Sequence, residues 1–239
     1  MPDVVDTRRR GKDSKMLKSL VVLLFTSLVI ALPTLDTDQT AALHKPQATP
    51  TSQGTHGGFF YYWWSDGQSP AAYTNLDGGS YCLRWESGGN LIGGKGWSPG
   101  TDNRTIQISG TFQGVENSYL AVYGWLETPK VEYYIVEYHG VFNPAYDAQM
   151  LGTVICDGSV YDISRSTRVS SGGTKILPRY WSVRRNKRTG GTVQTGCHFD
   201  AWRSTGLSAA DHGFQIVATE GYFSSGFAEM TVADTSAEE

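Results

Sequence analysis

The sequence predicts an all-β domain, a β-sandwich or jelly roll that carries one short α-helix. From residue 58 onward, short runs rich in aromatic and β-branched residues follow one another, and clusters of Gly, Ser, Asn or Pro bound each run. The runs show neither βαβ alternation nor a repeat period, which argues against a parallel α/β fold. The 28 Gly and 13 Tyr of the 239-residue chain are typical of many short strands with an aromatic-lined surface.

Nine runs are predicted as strands, and one run is predicted as a helix. The strand runs are, in chain order, GFFYYWWSDG (58–67), GSYCLRWES (79–87), RTIQISGTF (104–112), SYLAVYGWLE (118–127), VEYYIVEYHG (131–140), GSVYDIS (158–164), YWSVRRNK (180–187), GFQIVATEGYFSSG (213–226) and FAEMTV (227–232). In the helical run, HFDAWRSTGL, Phe199 and Trp202 are three residues apart and Gly206 is placed to end the helix.

The N-terminal region is predicted to direct export. Basic residues precede the apolar run Ser19–Leu32, which is too short to cross a bilayer comfortably but is typical of a signal peptide. We therefore predict a signal peptide with a long basic n-region over 1–33, and a secreted, extracellular protein. A start at Met16 and a short membrane anchor are the alternatives.

The remaining chain is divided by composition. Residues 34–57 are rich in Thr, Gln and Pro without periodicity, so we predict a disordered pro-segment or linker. The folded domain is predicted to span 58–235, and 236–239 form a tail. The formal net charge of −3 argues against a nucleic-acid-binding protein. No cluster of His, Cys and Asp has the spacing of metal ligands, and no cofactor is expected.

Three cysteines allow at most one disulfide within the chain. Cys156 and Cys197 both lie among polar neighbours, and we expect them to pair. Cys82 lies in the apolar strand SYCLRW, where it is predicted to be a small buried hydrophobic residue.

Alternation along two predicted strands places a carboxylate on an aromatic face. Tyr123 and Trp125 share one face of their strand, and Glu132 and Tyr134 share one face of the next. We predict that these residues form one wet aromatic surface, whereas Glu137 is out of phase and is predicted to be a solvent charge at a strand end.

A second carboxylate also shares a strand face with aromatic residues. Glu220 and Tyr222 share a face of their strand, although Phe214 lies on that face as well. Aromatic rings stack on sugar rings, and a pair of carboxyl groups is the usual machinery for cleaving a glycosidic bond. The alternative is a lectin-like sandwich whose glutamates are solvated surface charges.

Eight strings taken together resemble the family 11 glycoside hydrolases, the small endo-1,4-β-xylanases. They are YYWWSDG, GGNLIGGKGWSPG, YLAVYGW, VEYYIVE, CDGSVYDI, YWSVRRNKR, HFDAW and ATEGYFSSG, and they occur in this order from about Gly58 to Val232. The resemblance implies a β-jelly roll of two curved antiparallel sheets that form a cleft. It also implies hydrolysis of xylan with retention of configuration, with Glu132 as the nucleophile and Glu220 as the acid/base.

The resemblance further implies roles for the residues around these glutamates. The matching substrate-binding positions are Trp64, Asn90, Tyr123, Tyr134, Arg184 and Tyr222. Arg184 is expected beside Glu132, and Asn90 is expected within hydrogen-bonding distance of Glu220. The expected partners are xylan and xylo-oligosaccharides, without nucleic acid or stable membrane association, for a chain that acts as a monomer. The disulfide Cys156–Cys197 also recurs in some members.

Two departures from the family pattern leave alternatives open. The loop after Arg168, RVSSGGTKILPRYW, is shorter than the family's thumb and lacks its Pro-Ser-Ile tip, and Phe214 replaces a tyrosine of the cleft. A catalytically weak xylan-binding protein on the same fold is therefore one alternative. A related β-glucanase is the other.

Overall fold

The computed structural model of the chain describes residues 48–169 and 173–236. These residues form β1 Ser52–His56, β2 Phe59–Ser65, β3 Ala71–Asn75, β4 Ser80–Trp85, β5 Asn90–Trp97, β6 Thr105–Gly114, β7 Ser118–Thr128, β8 Lys130–His139, β9 Gln149–Cys156, β10 Ser159–Val169, β11 Ile176–Arg184, β12 Gly191–Gln194, α1 Thr195–Ser204, β13 Ala210–Tyr222 and β14 Gly226–Asp234. The predicted signal peptide, most of the predicted linker and the end of the tail lie outside the described residues.

The strands form two sheets. One has nine strands in the order β1-β2-β5-β13-β7-β8-β11-β10-β9, and the other has five in the order β12-β6-β14-β4-β3. Neighbouring strands pair antiparallel except β8 and β11, which are parallel. The prediction of a two-sheet β-jelly roll with one short helix is confirmed. Among the described residues, no helix is long and apolar enough to span a membrane.

Strand alternation separates the two faces of the nine-stranded sheet. Leu120 and Val122 of β7 belong to the core between the sheets, together with Val131 and Ile135 of β8. Their neighbours along each strand point to the opposite face and form a second cluster, which includes Tyr123 and Tyr134. The predicted division of both strands is therefore confirmed, and the second cluster forms the floor of the site described below.

Five of the strands were not predicted from the sequence, for identifiable reasons. β1 pairs antiparallel with β2, so the prediction that 34–57 lies entirely outside the fold is wrong for this short polar edge strand. β5 contains three glycines, which normally weaken a strand. At Gly94 a Cβ atom would lie 1.9 Å from the carbonyl oxygen of Val217, so glycine is required where β5 approaches β13. The others, β3, β9 and β12, lie at sheet edges.

The helix and the disulfide fix one end of the domain. α1 begins three residues before the predicted run, and its Phe199 and Trp202 are fully buried. The predicted disulfide joins Cys156, the last residue of β9, to Cys197 in α1 and is confirmed. Cys82 is only half-buried, because it points outward from β4 between two buried neighbours. The prediction that Cys82 lies in the core is therefore wrong.

A buried polar network lies beneath β8 and β11. Glu137 is 2% exposed, accepts a hydrogen bond of 2.6 Å from the Tyr161 hydroxyl and forms an ion pair with Arg188. Arg184 donates to the same hydroxyl through Nη1 at 2.6 Å and to the carbonyl of Asn186 at 2.7 Å. The prediction that Glu137 is a solvent charge is wrong, because the cations compensate for the cost of burying its carboxylate.

Candidate active site

A cleft of about 430 Å³ opens on the face of the nine-stranded sheet that is turned away from the second sheet. It is lined by Tyr62, Trp64, Asn90, Ile92, Tyr123, Trp125, Lys130, Glu132, Tyr134, Arg168, Lys175, Leu177, Arg179 and Glu220. The lining thus combines aromatic rings, two carboxyl groups and four basic side chains. It brings together residues of seven strands that the chain order separates widely.

Glu132 is fully buried, and four side chains place hydrogen-bond donors beside its carboxylate. Its Oε1 accepts from Arg168 Nη1 at 2.8 Å, from the Tyr123 hydroxyl at 3.1 Å and from the Tyr134 hydroxyl at 3.4 Å. Its Oε2 accepts from Arg179 Nε at 2.7 Å. Two guanidinium groups and two hydroxyls therefore stabilise a negative charge at this position.

Glu220 lies in a different electrostatic environment. It stands on β13 between Ile92 of β5 and Tyr119 of β7, and it accepts a hydrogen bond from the Tyr134 hydroxyl at 3.2 Å. Burial is the largest cause that raises the pKa of Glu220, to about 7, and the negative charge of Glu132 raises it further. The carboxyl of Glu220 is thus protonated below neutral pH.

The Tyr134 hydroxyl links the two carboxyl groups. It reaches Glu132 at 3.4 Å and Glu220 at 3.2 Å, so the bonded oxygens are no farther apart than the sum of these distances. Retaining glycosidases hold their carboxyl groups about 5 to 5.5 Å apart, and the bridge is compatible with this spacing. One carboxylate and one carboxylic acid thus share a single site.

The aromatic residues of the cleft are held by contacts with one another. Trp125 donates from Nε1 to the Tyr123 hydroxyl at 2.9 Å, and Phe214 stacks on Tyr62 with ring centroids 5.0 Å apart. Trp64 lines the cleft as predicted, but Tyr123 and Tyr134 are 4% and 3% exposed. The aromatic face that was predicted to be solvent-exposed is therefore largely buried at the base of the cleft. Burial lowers the local dielectric constant and strengthens the hydrogen bonds and ion pairs of Glu132.

The arginine predicted to lie beside Glu132 is the wrong one. Arg179 stands in parallel register with Glu132, and residues at odd offsets from it, such as Arg184, point to the opposite side of β11. Arg184 is therefore in the buried network described above, whereas Arg179 and Arg168 contact the carboxylate. Alternation of side chains within β11 could have indicated that Arg179 faces the cleft. The position of Arg179 opposite Glu132, however, depends on the pairing of β11 with β8, which the sequence does not reveal.

Two further predicted residues lie close to the site, and one of them lacks the contact expected of it. Asn90 lines the cleft one diagonal step from Glu220, but its buried Oδ1 has no hydrogen-bond partner in the part of the chain that the structure describes. The predicted hydrogen bond to Glu220 is thus missing. Tyr222 lies two residues after Glu220, is 48% exposed and packs edge-on against Phe223, outside the lining given above.

No metal ligand set accompanies the carboxyl groups. Within residues 48–169 and 173–236, no group of three or more His, Cys, Asp and Glu side chains is placed to hold a metal ion. Arg179 and Arg168 occupy the oxygen atoms of Glu132 that a cation would need. The chemistry that this arrangement supports is proton transfer by one carboxyl group and nucleophilic attack by the other.

Comparison with known proteins gives a consistent result. The sequence profile described as "Glycosyl hydrolases family 11" matches residues 56–231. The chain is 98% identical over 224 residues to "Ethylene-inducing xylanase 5" of Verticillium dahliae, a match that covers 94% of this chain and 100% of that protein. It is 58% identical over 196 residues to "Endo-1,4-beta-xylanase" of Thermomyces lanuginosus, which covers 80% of this chain and 87% of the relative.

Proposed function

The chain belongs to family 11 of the glycosyl hydrolases, and from this premise we propose that it is an endo-1,4-β-xylanase that cleaves internal bonds of xylan with retention of configuration. The observation that carries the proposal is the carboxyl pair of the cleft. Glu132 is held by two cations, and the pKa of Glu220 is raised to about 7. A retaining glycosidase requires one ionised and one protonated carboxyl group of this kind.

In the first step, Glu132 attacks the anomeric carbon while Glu220 gives its proton to the glycosidic oxygen. The bond to the leaving sugar breaks, and a covalent xylosyl ester forms on Glu132. In the second step, the ionised Glu220 takes a proton from water as the water oxygen attacks the anomeric carbon. The ester bond breaks, Glu132 regains its charge, and the two inversions give net retention.

The surrounding residues are proposed to orient the reaction. Trp64 would stack on a xylose ring of the glycone side, and Tyr123 and Tyr134 would hydrogen-bond the sugar at the cleaved linkage. We further propose that Arg168 and Arg179 orient the carboxylate of Glu132 through their ion pairs, in the place where Arg184 was expected. Because Tyr222 is half-exposed, we propose that it contacts substrate only beyond the cleft lining described above.

Export and solution behaviour are part of the proposal. The basic N-terminal stretch and apolar run that precede Pro33 support secretion, and the insoluble polymer xylan would be met outside the cell. We propose that the protein acts as a monomer, with xylan and xylo-oligosaccharides as its partners.

Release of reducing ends from xylan tests the function directly. The full chain is incubated with xylan and, in parallel, with carboxymethylcellulose, and oligosaccharides are quantified over time. We expect internal cleavage of xylan and little release from the cellulose derivative. Binding to xylan without release would support the xylan-binding alternative, and faster release from the cellulose derivative would support the β-glucanase alternative.

The substitution Asn90→Asp is expected to change the pH dependence of kcat/KM. Since Glu220 acts as an acid, kcat/KM of the wild type should fall as pH rises through about 7. In Asn90→Asp, the new carboxyl can rotate toward Glu220 and share its proton, a state populated only at lower pH. We expect the optimum to fall by about one pH unit. A basic limb that moves upward instead would indicate charge repulsion without a shared proton.

The β10–β11 hairpin provides a second prediction. Its strands pair as far as Val169 and Ile176, and its Arg168 reaches Glu132, but it lacks the Pro-Ser-Ile tip of the family. Grafting that tip should lower KM for xylan several-fold and leave kcat nearly unchanged, because the added contacts bind ground state and transition state alike. A graft of equal length made of Gly and Ser is the control, and equal KM values for both grafts would contradict the prediction.

A further inference from the structure

Asn103 begins an Asn-Arg-Thr sequence in the loop that leads from β5 into β6, and its Thr105 is the first residue of β6. The pattern Asn-x-Ser/Thr, with x other than Pro, is the acceptor for N-linked glycosylation in secreted proteins. Among the asparagines of the sequence, only Asn103 is followed by Ser or Thr at the second position after it. Because such a pattern also arises by chance, its meaning depends on how the fold presents Asn103.

The backbone on both sides of Asn103 is fixed to the start of α1. The hydroxyl of the buried Thr195 donates to the carbonyl of Asp102, and it accepts a hydrogen bond of 2.9 Å from the N–H of Arg104. The N–H of Thr195 donates in turn to the carbonyl of Arg104 at 3.0 Å. Asn103 therefore occupies a defined place on the folded domain.

The side chain of Asn103 differs from those of its two neighbours. The Asp102 carboxylate contacts Nε2 of His212 at 2.8 Å, and Arg104 donates from Nε to Asp234 at 2.7 Å. Asn103 is exposed, and its side-chain amide takes part in no hydrogen bond within the part of the chain that the structure describes. Its amide nitrogen is thus available for a covalent substituent without the loss of a contact that holds the fold.

An open groove of about 320 Å³ lies beside Asn103. Gly196 of α1 forms part of its wall, and a Cβ atom at Gly196 would lie 2.3 Å from Oδ1 of Asn103, so glycine leaves room for the amide. The hydroxyl and acetamido groups of a sugar can hydrogen-bond the polar side chains of the groove. The groove is lined by Asn103, Arg104, Thr105, Gln194, Gly196, Cys197, Asp200 and Ser236.

We propose that Asn103 carries an N-linked glycan whose first N-acetylglucosamine lies over this groove. In the transfer, Nδ2 of Asn103 attacks the anomeric carbon of an oligosaccharide that is held on a lipid diphosphate. An N–C bond forms, the bond from that carbon to the phosphate oxygen breaks, Nδ2 loses one proton, and the lipid diphosphate leaves with the bonding electrons. The eukaryotic secretory pathway supplies this donor, so the inference rests on the proposed export.

The mass of the secreted protein tests the inference. The full chain, with its own N-terminal stretch, is produced in a eukaryotic host, and the intact mass of the protein in the medium is measured before and after digestion with peptide-N-glycosidase. We expect a mass above that of the polypeptide, and we expect digestion to remove the whole excess. Digestion in heavy-oxygen water labels the carboxyl group that it leaves at position 103, so peptide mapping identifies the site.

Matched variants assign the glycan to this acceptor sequence. Asn103→Gln and Thr105→Ala should each abolish the excess mass, whereas Thr105→Ser keeps the hydroxyl and should retain it. Thr105 bonds to Ser236 through its backbone N–H at 2.9 Å, so Thr105→Ala leaves that contact in place. Asn117→Gln is the control and should keep the glycan, because Asn117 is followed directly by Ser118 and lacks the pattern.

The outcomes separate this inference from the proposed function. A secreted chain without excess mass, or an excess that persists in Asn103→Gln, would overturn the inference and leave the proposed export intact. A chain that stays in the cell without a glycan would overturn both. Among the described residues, the groove and the cleft have no lining residue in common, so the glycosylated and digested proteins should have equal kcat/KM on xylan. A glycosylated chain that does not cleave xylan would support the inference and reject the proposed function alone.

Discussion

Glu132→Ala is expected to lower kcat on xylan by at least about 10⁴-fold, because the covalent route is lost with the nucleophile. Azide can enter the space that the carboxylate leaves and attack the anomeric carbon directly. We expect it to restore turnover and to give a glycosyl azide of inverted configuration, identified by NMR.

Glu220→Ala should behave differently because the nucleophile remains. Activity should persist on aryl xylosides with good leaving groups, which need no protonation, and should be lost on xylan. Glu229→Ala, which removes an exposed glutamate of β14 in the other sheet, is the control and should retain wild-type activity. Equal losses that azide does not rescue in both cleft variants would contradict the proposed roles.

Glu137→Ala is expected to produce the largest loss of stability. Removing this carboxylate leaves Arg188 without its ion-pair partner and the Tyr161 hydroxyl without its 2.6 Å acceptor, next to Arg184. Breaking a buried pair in this way costs about 3 to 5 kcal/mol. For a domain of this size, Tm should fall by about 6 to 20 °C, measured by calorimetry at neutral pH.

Two companion variants identify the cause of that loss. Glu137→Gln keeps an acceptor for Tyr161 but removes the charge, so its Tm should lie between those of the wild type and Glu137→Ala. Glu127→Ala breaks an exposed pair with Lys130 and should change the free energy of unfolding by less than about 1 kcal/mol. Similar losses in Glu127→Ala and Glu137→Ala would show that the buried network contributes little.

Local alternation was sufficient to predict much of the cleft floor. Tyr123, Trp125, Glu132 and Tyr134 lie on the predicted face, because the opposite face of each strand must be buried in the core. The same alternation placed Glu137 toward the core, and only the assumption that a charge seeks water made its prediction wrong. Its partners come from distant parts of the chain, which a strand pattern does not bring together.

The arginines show where prediction from sequence alone ends. Arg179 contacts Glu132 because β11 pairs in parallel with β8, and a motif match cannot supply that register. A motif therefore pointed to Arg184, on the opposite side of the same strand. Gly94 shows the opposite error, in which a local rule hides a strand. Glycine weakens isolated strands, but at this position it permits the close approach of β5 to β13.

The bridging hydroxyl of Tyr134 has a consequence for the timing of the reaction. A tyrosine has one hydrogen to donate, so at any moment it serves either Glu132 or Glu220. With the proposed roles, negative charge moves from Glu132 to Glu220 when the ester forms and returns when the ester is hydrolysed. The phenolic hydrogen can swing between the two oxygens in step with that charge, so that each glutamate has this donor during the half-cycle in which it is an anion.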